Sequence, residues 1–160
     1  MKSIRLFIVL TLCSLAAFAQ EIKRVEIPIA EQLESFSIPL REKGVIVLTQ
    51  LGKSAFNIRK FDINLEQVWT NQGSVDGNLD YVTHSYDGNR LYLLFSRYKS
   101  NNYYIVRVNP QDGKLEKFQI FSVEKMEISN FKALNQSLFI GGIVNNTPVI
   151  LFTNLSKKRT

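Results

Sequence analysis

His84 is the only imidazole in the chain. It falls in Tyr81-Val82-Thr83-His84-Ser85-Tyr86, a strand-like run, where an imidazole facing a channel could act as acid or base. A nucleophilic triad would also need a serine in a recognisable motif and an orienting carboxylate, and no motif nominates either. The structural reading of His84 is therefore preferred, and no residue is assigned a catalytic role. Asp76, Asn78 and Asp80 alternate as calcium-loop ligands do, with Asp87 at the twelfth position. Tyr81 stands where such a loop requires glycine, so an ordinary polar loop is expected and no metal site is assigned.

Paired carboxylates would suit glycoside hydrolysis. Glu34, Glu42, Asp80, Asp87, Glu124 and Glu127 are candidates, but spacing alone selects no pair, and solvated surface charge is the default. The stretch Arg97-Tyr98-Lys99-Ser100-Asn101-Asn102-Tyr103-Tyr104 is the best binding candidate. Its cations, amides and tyrosines suit an anionic glycan or a protein surface. Arg97, Tyr98, Lys99, Asn101 and Asn102 are the expected ligand-binding residues, against the plain alternative of a charged hairpin tip. Phosphate-cradling glycine loops are absent, and nothing calls for a cofactor. The Lys157-Lys158-Arg159 run reads as a solvated end, and nucleic acid is not an expected partner because basic residues are not spread over a face.

Something must position these groups. The chain has 160 residues, a formal charge of +6, 45% hydrophobic and 21% charged residues, which excludes disorder and fibrous classes. Met1 to Gln20 has a basic start at Lys2 and Arg5, an apolar run from Leu6 to Leu15, and Ala17-Phe18-Ala19 as a small-x-small cleavage site. Residues 1–19 are expected to be a secretory signal peptide, and the protein to be secreted or periplasmic. The run falls short of the ~20 residues of a permanent membrane anchor. No integral membrane segment is expected after cleavage. The single cysteine, Cys13, would leave with the signal, and Leu12 before it argues against a lipoprotein box. An exported domain without disulfides must rest on an ordinary hydrophobic core.

Beyond the signal, apolar runs of four to eight residues alternate with turn residues, with no helical periodicity. Val45–Leu48, Leu91–Phe95 and Leu138–Ile140 are apolar on both faces, as strands sandwiched between two sheets must be. Their partners, Ala55–Ile63, Tyr103–Val108 and Pro148–Thr153, follow short polar turns and complete three hairpins. Val45, Leu91 and Leu138 begin equivalent runs 46 and 47 residues apart. Each is preceded by a weaker strand: Phe36–Leu40, Tyr81–Tyr86 and Ile128–Leu134. Asp87-Gly88 between two of these strands predicts a type I′ turn. A fourth strand, Gln67–Thr70 and then Leu115–Phe121, closes the first two units. Trp69 and the phenylalanines at 56, 61, 118, 121, 139 and 152 read as packing between sheets.

Four antiparallel strands repeating every ~40–50 residues are a signature of propeller blades. Lys60-Phe61-Asp62-Ile63-Asn64-Leu65-Glu66-Gln67-Val68-Trp69 resembles the third-to-fourth strand turn of exported bacterial β-propellers of the kelch-like and WD-repeat-like kind. The resemblance covers about Phe36 to Lys158. It implies an all-β, partial β-propeller of about three blades: blade 1 about 34–72, blade 2 about 79–122 and an incomplete blade 3 about 126–160. Residues 20–33 would be an extension or a closing strand, with Glu21–Ala30 as the strand itself. The hairpin loop from Arg97 would share a face with an inter-blade loop, Asn71–Asp80. The alternative fold is an up-and-down β-barrel, although a lipocalin-like one would want its Trp near the mature N-terminus. The function implied is a non-catalytic binding module. The alternatives are part of a propeller-type carbohydrate-active enzyme, or a truncated product without independent activity. A closed ring needs about four blades, so a fragment of a longer propeller is the preferred reading.

Overall fold

The computed structural model describes residues 23–29 and 33–156. The expected signal peptide and the basic tail lie outside the described residues. The protein is all-β and antiparallel, with ten strands among the described residues. The first sheet comprises β1 (Ser35–Pro39), β2 (Val45–Gln50), β3 (Ala55–Phe61) and β4 (Gln67–Ser74), in that order. A second sheet runs β5 (Asp80–Tyr86), β6 (Leu91–Ser96), β7 (Ser100–Val108), β8 (Leu115–Leu134), β9 (Ser137–Val144) and β10 (Thr147–Asn154).

β8 is assigned as one strand of 20 residues, yet it doubles back. Straight, it would span roughly 66 Å at about 3.3 Å per residue. Arg107 nevertheless bonds Glu116 near its start, Nε to Oε2 at 3.1 Å, and Gln136 just past its end, Nη1 to Oε1 at 3.3 Å. Leu115–Phe121 pairs with β7, and Glu127–Leu134 pairs with β9. The reversal lies between, where the register on β7 jumps from Asn102↔Phe121 to Ser100↔Met126. The six-stranded sheet therefore curls into two layers. We call β5, β6, β7 and the first half of β8 the middle layer, and the second half of β8 with β9 and β10 the third layer.

Two cores result from this stacking. In β6, Leu91, Leu93 and Phe95 pack with Ile38, Ile46 and Phe56 of the first sheet. Their neighbours Tyr92 and Leu94 pack with Phe131, Leu138 and Ile140 of the third layer. β7 divides the same way, with Val106 in the first core and Ile105 in the second. Side chains alternate across a strand, so a strand buried on both faces must be apolar throughout. All six residues of β6 are buried. Each such Leu or Phe contributes about 1.5–3 kcal/mol by leaving water.

Several expectations need correction. Asp87-Gly88 does not make a two-residue turn. Tyr86 pairs with Leu91 across a four-residue loop, because Asp87 Oδ1 accepts from the N–H groups of Asn89 and Arg90. Two-residue turns occur instead at Asn135-Gln136 and Asn145-Asn146, all four with positive φ, as type I′ geometry requires. Asn71–Ser74 belong to β4, leaving Val75–Leu79 as the link to β5. β7 starts at Ser100, so Asn101 and Asn102 are strand residues. Residues 23–29, expected as an extension or as the closing strand of a full ring, pair with no strand among the described residues, which leaves that expectation untouched.

The aromatic expectation divides. Phe56 and Phe61 are buried. Trp69 packs on the first core and donates Nε1–H to Pro110 O at 3.2 Å. Phe118 packs on the second core. Phe121, Phe139 and Phe152 are exposed, the last two touching each other at 5.0 Å between ring centres. They lie where no further sheet is packed among the described residues.

Candidate functional site

The turns of the molecule gather at two ends, set by strand direction. One end carries the β2–β3 turn, the Val75–Leu79 link, the β6–β7 turn and the reversal of β8. The β2–β3 turn and the link are tied together by Ser54, whose carbonyl accepts from Val75 N at 2.8 Å and whose N–H bonds Leu79 O at 3.0 Å. The Ser54 hydroxyl also accepts from Leu79 N at 3.1 Å. Ser54 holds φ +76° to do so.

The loop after β6 reaches both neighbours. Arg97 Nε donates to Asn78 O at 2.6 Å, joining it to the link from the first sheet. Tyr98 OH donates to Glu127 Oε2 at 3.2 Å, joining it to the third layer. The turn itself is Tyr98-Lys99, with Lys99 at φ +49°. Lys99 Nζ lies 5.4 Å from the centre of the Tyr98 ring, within cation–π range. Behind the loop, the buried Ser96 hydroxyl donates to Asn102 O at 3.1 Å. Tyr104 OH reaches Asp76 Oδ2 at 3.3 Å.

The five expected ligand-binding residues therefore fall into two groups. Arg97 holds the loop to the link, and half-buried Asn102 accepts from Gln119 Nε2 at 3.1 Å through Oδ1. Tyr98, Lys99 and Asn101 are exposed, with Tyr98 at 75%. Arg97 is exposed as well, with its Nε engaged by Asn78 O.

Beside the link is a cleft of about 340 Å³ lined by Leu33, Glu34, Gln50, Gly52, Lys53 and Asp80. It brings together two carboxylates from the dispersed set, Glu34 ahead of β1 and Asp80 at the start of β5. Gln50 Nε2 donates to Asp80 Oδ1 at 3.4 Å, orienting that carboxylate. Asp80 pairs with Ser96, so the cleft adjoins the Arg97 loop. Sequence reading missed Gln50 and Lys53, because only the stacking of the first sheet on the middle layer carries them to Asp80. Of the remaining carboxylates, Asp87 caps its own turn and Glu127 accepts from Tyr98.

His84 is half-buried and its Nδ1 lies 2.6 Å from the Tyr81 hydroxyl. Burial lowers its pKa from the usual 6.5, and burial pushes Tyr81 up to about 12. A neutral imidazole held by a neutral phenol is a packing pair. Among the described residues, no three His, Cys, Asp or Glu side chains converge as metal ligands, and no helix is long and apolar enough to cross a membrane. Of the alternating loop residues, Asp76 meets Tyr104, Asn78 meets Arg97 through its carbonyl, and Asp80 meets Gln50. Compared with family models, curated proteins and solved structures, the chain matches none.

Proposed function

We propose that the protein is an exported, non-catalytic binding module of β-propeller type, with its ligand surface at the loop end of the stacked sheets. One observation carries the reading: the Arg97–Lys99 loop is bonded to the elements on either side of it while Tyr98, Lys99 and Asn101 remain exposed. A loop anchored on both flanks loses little entropy when it binds, which favours recognition. An exposed phenol, an ammonium and an amide are the groups that stack on a sugar ring, pair a carboxylate or sulfate, and bond a hydroxyl. The favoured ligand is an anionic glycan of the cell envelope or its surroundings. Stacking of like sheets, each reusing the same strand order, supports the propeller-type architecture.

The test is a glycan array of neutral and acidic polysaccharides, followed by titration of any hit. Binding to acidic members should weaken at least tenfold in Tyr98→Ala/Lys99→Glu and fall with added salt. A chain that binds no acidic glycan, or a double variant that binds unchanged, overturns the reading.

A second reading rests on the cleft. Glu34 and Asp80 share it, and a carboxylate pair across a cleft is the minimal apparatus of a glycoside hydrolase. Release of reducing ends from a labelled polysaccharide, abolished by Glu34→Gln and by Asp80→Asn, would favour an enzyme over a binding module.

A further inference from the structure

The stack is uneven at its outer rim. The first sheet has four strands, and the middle layer has four, with Leu115–Phe121 as the fourth. The third layer has three among the described residues, with β10 as its outer strand. Beside that strand a groove of about 420 Å³ opens between Lys117–Phe121 and Leu151–Leu155. Its floor includes Phe118 and Ile120, which pack on the second core from the middle layer. A fourth strand laid along β10 would occupy this space.

β10 is poorly defended against such a strand. Thr147–Asn154 contains no charged residue, whereas free edges are ordinarily blunted by lysine or bulges. Pro148 protects only its beginning. Ile150 is 74% exposed and Phe152 59%.

The same chain carries a strand-like segment. Lys23–Ile29 has no strand partner among the described residues, and Val25, Ile27 and Ile29 alternate with Arg24, Glu26 and Pro28. That is the pattern of a strand with one apolar face. Residues of one parity direct both their N–H and C=O to the same side. A strand pairing through Val25, Ile27 and Ile29 therefore turns the missing N–H of Pro28 away from its partner. Pro28 would then discourage a further strand from adding. In its own molecule the segment is held at the opposite side of the stack, where Lys23 Nζ pairs with Glu66 Oε1 of the β3–β4 turn at 3.4 Å. The middle layer stands between that turn and β10.

We propose that the outer edge of β10 takes up the Lys23–Ile29 segment of a second copy of this chain as its fourth strand, joining copies head to tail. Laid parallel to β10, which turns the backbone N–H and C=O of Ile150 and Phe152 outward, the strand attaches by backbone hydrogen bonds and carries its three apolar side chains on the face of Val149 and Leu151, over Phe118 and Ile120. Because donor and acceptor are different surfaces, the contact is heterologous and generates a ring or an open chain of copies.

Sedimentation velocity on the chain as purified from its expression host tests this. Self-association should rise with concentration over the micromolar range. A synthetic peptide of residues 22–30 should cap β10 and return the protein to monomer, while a scrambled peptide should not. Val25→Asp/Ile29→Asp (donor lost) and Ile150→Lys/Phe152→Lys (acceptor lost) should each be monomeric with an unchanged far-ultraviolet spectrum. Their mixture should form a one-to-one dimer through the remaining good pair of surfaces. A wild-type chain that stays monomeric and ignores the peptide overturns the proposal. So does a donor-lost variant that still self-associates, since that would mean the Phe139 and Phe152 face pairs with itself.

Discussion

The Tyr81 hydroxyl stands 2.6 Å from His84 Nδ1, with the two ring planes only 10° apart. Tyr81 also packs on Phe36 of the first sheet at 4.6 Å and on Phe95 of the middle layer at 5.9 Å. The pair thus fastens β5 to the first core, and burial disfavours the charged form of each partner.

The consequence is a stability profile that declines on both sides of neutrality. His84 is harder to protonate folded than unfolded, so the unfolded chain binds the extra proton. Its contribution is complete above pH 6.5 and is lost as the pH falls below that value toward its lowered folded pKa. Tyr81 acts in the opposite sense. Its contribution is complete below pH 10 and is lost as the pH rises from 10 to about 12. Melting temperatures across pH should show both declines in the wild type. His84→Gln should flatten the acid limb alone, and Tyr81→Phe should make the alkaline limb shallower without removing it, since burial also raises Tyr92 and Tyr103. Unchanged limbs in these variants would mean that other groups govern them.

Ser85 joins the middle and third layers by a single buried bond. Its Oγ accepts from Ala133 N at 2.9 Å. Ser85→Ala leaves that N–H without its partner, which costs about 1–3 kcal/mol. The melting temperature should fall, and amide exchange at Ala133 should accelerate more than at Ile58 in the first sheet. Equal acceleration at both would point to global unfolding and dissociate the bond from the third layer.

Gly141 and Gly142 are neighbours in β9 with opposite tolerances. A Cβ on Gly142 would lie 2.3 Å from Glu127 O and 2.5 Å from Met126 Cγ. A Cβ on Gly141 would meet nothing closer than Asn130 Cβ at 3.5 Å, an ordinary contact. Gly142→Ala must displace backbone at the reversal of β8 and should cost more than ~2 kcal/mol, in line with overpacking of a filled interior. Gly141→Ala should change stability by less than ~1 kcal/mol. Denaturant melts of the two variants, side by side, measure the contrast.

The legible part of this fold is the part where burial is two-sided. Leu91–Phe95 had to be a sandwiched strand because both of its faces are in a core. Asn145-Asn146 had to be a turn because few other residues accept positive φ twice in succession. Legibility fails where the deciding contact is distant in sequence. Asn71–Ser74 look like a loop by composition, yet β3 recruits them as strand, and Gly73 is there because Phe56 leaves no room for a Cβ. Phe139 and Phe152 carry the same apolar signal as Phe56, and periodicity does not tell which face of a sheet will find a partner. In the loop from Arg97 to Asn102, residue types mark a polar tip, but the split between anchoring Arg97 and outward Lys99 depends on where Asn78 lies. The convergence of Glu34 and Asp80 is a product of stacking alone.

Ile105 and Val106 are adjacent in β7 yet belong to different cores, the second and the first respectively. Ile105→Val should cost about 0.5–1.5 kcal/mol. Val106→Ala should cost about 2 kcal/mol, from two buried carbons and the small void they leave. Contact neighbours ordinarily show interaction energies of about 0.5–3 kcal/mol in double-mutant cycles. Here the side chains point to opposite faces and share no packing partner, so the double variant should lose the sum of the single losses to within ~0.5 kcal/mol. The middle layer supplies one wall of each core, so neither core can open without exposing it. All four proteins should accordingly unfold in one transition with a common denaturant slope. A strong coupling energy would mean the two cores are continuous through β7. A second transition in either single variant would mean that the layers melt separately, and the middle layer would no longer be the element that makes the molecule cooperative.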